Sequence, residues 1–157
     1  METALKNIRE LANLLDDTTW GECFTRDEVE VIARYLSLQV FESGELIFRQ
    51  GDHQNYMAFI VDGAVDIVKE SADSLEKIVV TLSQRTHFGE MSFVDDEPRS
   101  ATAMARTDTT LLVLSSINFE TLIDEHPKLG IKILRNIAKL ISKRLRMTTG
   151  KLVYTRS

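Results

Sequence analysis

Apolar residues along the chain fall into three regimes of spacing. Near the N-terminus Leu5, Ile8, Ala12 and Leu15 recur at the interval of one helical face. A second such face, Val29, Ile32, Ala33 and Leu36, follows Thr25 and Glu28. Those two residues have the spacing of a capping box, in which the hydroxyl accepts from the third helical amide and the carboxylate reaches back to the cap amide. From about 38 to 114 the period shortens. Val40 and short β-branched or aromatic runs at 45–48, 57–61, 64–68, 78–82, 101–105 and 111–114 read as strands. Turn formers separate them: Ser43-Gly44, Gly51-Asp52, Asp62-Gly63 and the polar stretch 71–74. Asp62-Gly63 between two apolar runs predicts a hairpin. After Ser116, a predicted N-cap, Phe119, Leu122 and Ile123 mark a short helix ending near His126-Pro127, and a long helix begins at about Lys128. Many short strands at this spacing predict a mainly β fold, an antiparallel jelly roll or β-roll with helices at both ends. The expected organisation is one domain over 1–157, with N-terminal helices in 1–37, the β-roll in 38–115 and C-terminal helices in 116–157.

The last helix carries two apolar stripes. Leu134, Ala138, Ile141, Leu145, Thr148 and Leu152 alternate intervals of four and three, the seam of a coiled coil. Ile133, Ile137, Leu140 and Met147 line an adjacent face suited to packing on the β-roll. A helix docked on its own domain needs one stripe, so two predict a homodimer through this helix. Gly150 costs roughly 1 kcal/mol in a helix interior and is a place where the helix can end.

Composition narrows the function classes. A chain of 157 residues is one domain by size and needs no metal or disulfide staple. No apolar run approaches the roughly 18 residues of a membrane span, and the N-terminal stretch lacks the pattern of a secretion signal, so no membrane association and a cytoplasmic location are expected. Cys23 is the single cysteine, which excludes an internal disulfide; its expected state is a small, partly buried residue. The net charge of −5 argues against general affinity for nucleic acid. The segment 132–151 nevertheless holds lysines and arginines with no acid, leaving the rest strongly acidic. Its simplest reading is a solvated face helped by the helix dipole; a surface for an acidic protein partner is the other.

The stretch 88–103, Phe-Gly-Glu-Met-Ser-Phe-Val-Asp-Asp-Glu-Pro-Arg-Ser-Ala-Thr-Ala, concentrates the candidate chemistry. Gly89 after a strand lets backbone approach a ligand closely. Residues 90–95 can form one helical turn whose first amides favour an anion. Pro98 sets a rigid turn, and the fork of Arg99 offers charge-assisted bonds to a phosphate. Ser100 adds a hydroxyl and an amide. Glu90, acceptor-only when ionised, suits a ligand hydroxyl. One anion beside one hydroxyl fits this pair. Asp95, Asp96 and Glu97 would repel a phosphate and are expected to point to solvent.

That stretch resembles the phosphate-binding cassette of cyclic nucleotide-binding domains, the family that includes bacterial catabolite activators, kinase regulatory subunits and cyclic-nucleotide-gated channels. Residues 44–52 are similar to the family's first β-hairpin, and residues 56–65 to its next glycine-centred strand pair. The resemblance runs from about Thr25 to Leu152. It implies that Glu90 accepts the ribose 2′-hydroxyl, that Arg99 pairs with an exocyclic phosphate oxygen, and that the amides of Gly89, Ser92, Ser100 and Ala101 surround the phosphate, with Met91 in the same segment. Residues 144–152 resemble the helix of the catabolite activators that closes on the purine, which puts Thr148 and Thr149 at base-contacting positions. The implied ligand is a cyclic purine nucleotide, cyclic AMP before cyclic GMP; Ser100 is compatible with either base. The bacterial relatives continue into a helix-turn-helix, for which there is no room before Ser157, so direct DNA binding is not expected and output would pass through movement of the C-terminal helix to a protein partner.

Other classes leave distinguishable marks. An interaction module of the same fold that has lost nucleotide binding would be dimeric and without affinity for nucleotides. A cupin-like enzyme needs paired His and carboxylate ligands, whereas His53, His87 and His126 are isolated and read as surface or cap histidines. No catalytic constellation, metal site or cofactor site is expected, and a haem sensor would be coloured.

Overall fold

A computed structural model describes the backbone of residues 7–70 and 76–156, with side chains except those of 76–79 and 149–156. Leu5 and the predicted turn at 71–74 lie outside the described residues. The chain forms two compact units, 1–120 and 121–157.

The first unit opens with α1 (Ile8–Asp16), capped by Asn7, whose side chain accepts from the Glu10 amide. Its buried stripe is Leu11, Ala12 and Leu15, while Ile8, expected on that face, is exposed. After a 3-10 turn at Thr19–Glu22 comes α2 (Arg26–Ala33). The capping box is present: the Glu28 amide donates to Thr25 Oγ1 at 3.2 Å, and the Thr25 amide to Glu28 Oε1 at 2.8 Å. The helix stops before Leu36, which opens a strand instead.

Eight strands follow among the described residues: β1 (Leu36–Phe41), β2 (Leu46–Phe48), β3 (Tyr56–Asp62), β4 (Ala64–Glu70), β5 (Glu76–Ser83), β6 (His87–Phe88), β7 (Thr102–Ala105) and β8 (Thr109–Ser115). They make two four-stranded sheets, ordered β1-β8-β3-β6 and β2-β7-β4-β5, and every described ladder is antiparallel. This is the jelly roll. Ala58, Ile60, Leu111 and Val113 of the first sheet meet Ile47, Phe48, Val65 and Ala103 of the second in one cluster. Because side chains alternate across a strand, Met57, Phe59, Leu112 and Leu114 point to the opposite face, and they too are fully buried. There the N-terminal segment covers them, with the Trp20 and Phe59 rings meeting edge-on at 4.7 Å. Sealing a side chain of this kind stabilises by roughly 1.5–3 kcal/mol.

Two turns depart from expectation. Asp62-Gly63 closes no hairpin: β3 pairs with β8 and β6, and β4 with β5 and β7. The chain changes sheet at Gly63, whose φ is +93° and whose missing Cβ would sit 2.4 Å from the Asp108 carbonyl oxygen. Backbone and hydroxyl groups of the β7–β8 connection satisfy Ala64 instead: the Arg106 amide and Thr109 Oγ1 donate to its carbonyl, and its own amide donates to Thr107 Oγ1. Likewise β2 pairs with β7, so residues 44–52 contain no closed hairpin. The strand pair that does fold back on itself is β4–β5.

The short helix α3 (Glu90–Asp95) lies inside the cassette. Next, α4 (Ser116–Glu125) begins one residue before expectation: the cap is Ser115, whose Oγ accepts from the Asn118 amide at 3.1 Å. In the second unit α5 runs Pro127–Arg156, about 45 Å at 1.5 Å per residue. It does not end at Gly150. The penalty of one glycine is small beside the cooperative propagation of a helix already many turns long. Ile133 and Ile137 are buried, Leu140 is half-buried and Met147 is exposed. Among the described residues no helix is long and apolar enough to cross a membrane.

Candidate functional site

The cassette hangs between β6 and β7. Gly89 ends β6 in the left-handed region, φ +84°, and serves as the cap of α3. A Cβ there would lie 2.8 Å from both Arg99 Nη1 and the Tyr56 carbonyl oxygen, so glycine is needed for space as well as for φ. α3 is anchored by Phe93, which packs on Phe119 at 4.9 Å between ring centroids, and it exposes Met91 and Val94. The first amides of any helix, here those of Glu90, Met91 and Ser92, have no intrahelical acceptor. Asp96 closes the turn with φ +59°, and Asn55 Nδ2 donates to its carboxylate. Asp95, Asp96 and Glu97 are exposed, as expected.

Two ionisable side chains of this segment are buried, Glu90 at 2% exposure and Arg99 at 3%. The Arg99 backbone is stitched to the turn after β2: its amide donates to the Asp52 carbonyl, and its carbonyl accepts from the Gly51 amide, each at 2.8 Å. The guanidinium points inward. Nη1 donates to the Gly89 carbonyl at 3.0 Å and Nη2 to the Tyr56 carbonyl at 2.6 Å. Its plane lies over Phe48 at 4.0 Å and against Tyr56 at 4.7 Å, a cation–π box. Nε is buried without a hydrogen-bond partner. Among the described residues no carboxylate pairs with Arg99 within 4 Å. Burial therefore lowers its pKa from the usual arginine value, against the smaller upward pull of Tyr56, Asp52 and Glu90. A guanidinium stays protonated regardless, so the fold holds a desolvated cation whose contacts are carbonyl dipoles and ring faces. Such a group attracts an anion.

Glu90 faces a neighbour that the sequence reading missed. His87 is buried at 9% exposure and presents Nδ1 to Glu90 Oε2 at 3.5 Å. Its ring sits against Trp20 and Phe59, at 6.0 and 5.6 Å. It is neither a surface nor a cap histidine, because the two-residue strand β6 turns it under the N-terminal segment. The aromatic box of Arg99 was also missed: Phe48 and Tyr56 read as ordinary core positions. No sequence signal separated them from other core aromatics, since only the fold shows that Arg99 stacks on them. Cys23 is exposed, its Sγ near the Thr19 carbonyl, because the 3-10 turn buries Trp20 in its place.

Of the predicted residues, Gly89, Glu90, Met91, Ser92, Arg99, Ser100 and Ala101 lie in the one segment between β6 and β7; Ser92 is buried, Ser100 exposed and Ala101 half-buried. Thr148 lies in the second unit, and its hydroxyl donates to the Arg144 carbonyl of its own helix at 3.0 Å. Thr149 falls outside the described side chains. An open groove of about 770 Å³ runs along α5, lined by Arg135, Lys139, Lys143 and Arg146 among others. Every residue lining it is exposed, and it holds no buried polar group.

The jelly roll thus sets a glycine-capped turn, a buried glutamate and a buried arginine, paired with no described carboxylate, in one segment between β6 and β7. The chain belongs to the cyclic nucleotide-binding domain family, whose description matches residues 38–126. It is 32% identical over 120 residues to the cyclic AMP receptor protein of Thermus thermophilus, covering 76% of this chain and 54% of that one. It is 27% identical over 135 residues to the cAMP-dependent protein kinase regulatory subunit of Schizosaccharomyces pombe, covering 86% and 31%. The crystal structure of a cyclic nucleotide-binding domain from Methylobacillus flagellatus superposes with a TM-score of 0.78 at 25% identity, over 93% of this chain and 82% of that one. The chain thus spans about half the length of the first relative and a third of the second.

Proposed function

We propose that this domain is a non-catalytic receptor for a cyclic purine nucleotide, with cyclic AMP preferred over cyclic GMP. The observation that carries the reading is Arg99, a buried guanidinium without a carboxylate partner among the described residues, one short segment away from the buried carboxylate of Glu90. The cyclic phosphate would meet Arg99 and the amides of Gly89, Ser92, Ser100 and Ala101; Glu90 would accept from the ribose 2′-hydroxyl. The two relatives named for cyclic AMP support that choice of base. The test is titration calorimetry with cyclic AMP and cyclic GMP, joined to thermal melts. Binding to the native state raises the melting temperature with ligand concentration. The expected result is heat of binding and a rising melt, stronger for cyclic AMP. Millimolar ligand that gives neither heat nor shift would leave the alternative, an interaction module of the same fold.

The same reading extends to assembly and output. α5 would join two copies through Leu134, Ala138, Ile141 and Leu145, with Thr148 and Thr149 reaching the base and ligand-driven movement of α5 presenting a changed surface to a protein partner. Exposure of Leu134, Ala138 and Leu145 along one stripe supports the assembly.

A further inference from the structure

We infer that His87 is a positioning residue for the Glu90 carboxylate and thereby sets the domain's preference for a ribose over a 2′-deoxyribose ligand. The inference rests on the receptor reading above and adds a residue to it. Three observations carry it. First, the imidazole is buried, and its Nδ1 is sealed away without a hydrogen bond. A buried polar nitrogen left in that state costs the fold unless an acceptor comes to it. Second, Glu90 Oε2 stands 3.5 Å from that nitrogen, so a small side-chain rotation makes the bond. Third, the ring cannot turn away freely: Trp20 and Phe59 hold it edge-on from two sides, and the β6 backbone is fixed by pairing of His87 with Phe59. With its proton on Nδ1, the imidazole donates to one carboxylate oxygen. That donation orients the other lone pairs of Glu90 toward a ligand hydroxyl and restrains the carboxylate in one rotamer, which reduces the ordering cost of binding. The effect is confined to ligands that offer a hydroxyl to Glu90.

The experiment measures affinities of cyclic AMP and 2′-deoxy cyclic AMP by calorimetry for the unaltered protein and three variants. His87→Phe keeps the ring packing and removes Nδ1. His87→Asn places an amide donor near the Nδ1 position, and His87→Gln places it near Nε2, away from Glu90. The expected result is a clear ribose preference in the unaltered protein, a preference about tenfold smaller in His87→Phe and His87→Gln, and its recovery in His87→Asn. A merely structural role would weaken both ligands alike. If the unaltered protein discriminates and the ratio is the same in Asn and Gln variants, the positioning role is wrong while the receptor reading stands. If the unaltered protein binds cyclic AMP without any ribose preference, the assignment of Glu90 to the hydroxyl falls, and this inference with it. Should Phe at 87 prevent folding, the contrast between Asn and Gln decides.

Discussion

Arg99 shows how one residue can cost the fold and serve the site. Its desolvation outweighs the upward pull of Tyr56, Asp52 and Glu90, and its lowered pKa expresses that cost. Two carbonyls and two rings hold it, but each is a weaker partner than a phosphate. Stability and binding should therefore separate on substitution. In Arg99→Met the flexible apolar chain retains the stacking over Phe48 and Tyr56, while two carbonyls lose donors. These effects oppose one another, and unfolding by urea should change by no more than about 2 kcal/mol. Cyclic AMP affinity should fall by about 100-fold or more, since a buried charge–charge pair is lost. Glu90→Ala should cost only about tenfold, because it removes bonds from neutral hydroxyls. Equal and small losses for both would place the ligand elsewhere. That Glu90 and Arg99 share one segment was legible through the resemblance of residues 88–103 to a phosphate-binding cassette; their burial came only with the fold. His87, Phe48 and Tyr56 were not legible, since aromatic and imidazole side chains in strand-like runs read as core, and only the fold shows which ionised group each one touches.

At the scale of elements, α5 exposes apolar residues that a lone helix has no reason to carry. Leu134 is 38% exposed, Leu145 65%, and Ile131, one heptad before Ala138, 58%. Aligned at heptad spacing, they form a stripe that a second copy would bury around a two-fold axis. Replacing Ile141 and Leu145 together by Asp would set like charges face to face across that axis. Light scattering should report a dimer for the unaltered chain and a monomer for the double variant. A monomer for the unaltered chain at tens of micromolar would end the proposal. Helices and strands as such were readable from period, and the Thr25–Glu28 box from its spacing. Partnership was not. Alternation says that a strand has two faces but not which strand lies beside it, so Asp62-Gly63, flanked by apolar runs, carried the same signature as a hairpin while marking a crossing between sheets. β6 escaped because two residues are too few for a period. Gly150 left the end of α5 open in the sequence, and the helix runs through it because local propensity is weaker than propagation along a long helix.

At the scale of the molecule, a receptor acts only if ligand changes a surface that another molecule meets. Any shift driven by ligand requires different affinities for two states. Moving a population from mostly one state to mostly the other takes about 5.5 kcal/mol of such difference. Base contacts from Thr148 and Thr149 would supply roughly 1 kcal/mol each; Thr148 already donates to the Arg144 carbonyl, which leaves its hydroxyl oxygen to accept. These contacts cannot supply the whole. On the proposed reading the larger source would be the cassette, where a phosphate would replace carbonyl dipoles around Arg99. Nη1 and Nη2 hold the Gly89 and Tyr56 carbonyls at present. A phosphate that takes over those donors would release the Tyr56 carbonyl at the start of β3 and leave the Gly89 carbonyl, at α3's cap, with the Phe93 amide alone; α3 is tied to α4 through Phe93 and Phe119. On the proposed reading the route outward would begin at Gly89 and lead along α3 into α4, whose chain continues into α5 after His126. Amide hydrogen exchange, measured with and without cyclic AMP, tests this. Protection should change in 88–103 and also in 116–148, with the α4 amides responding alongside those of α5. In Arg99→Met, saturating ligand should leave α4 and α5 unchanged even where some binding persists, because the donors that trigger the change are gone. Changes limited to 88–103 in the unaltered protein would mean that the nucleotide is held without being signalled, and the role of α5 as output would be lost.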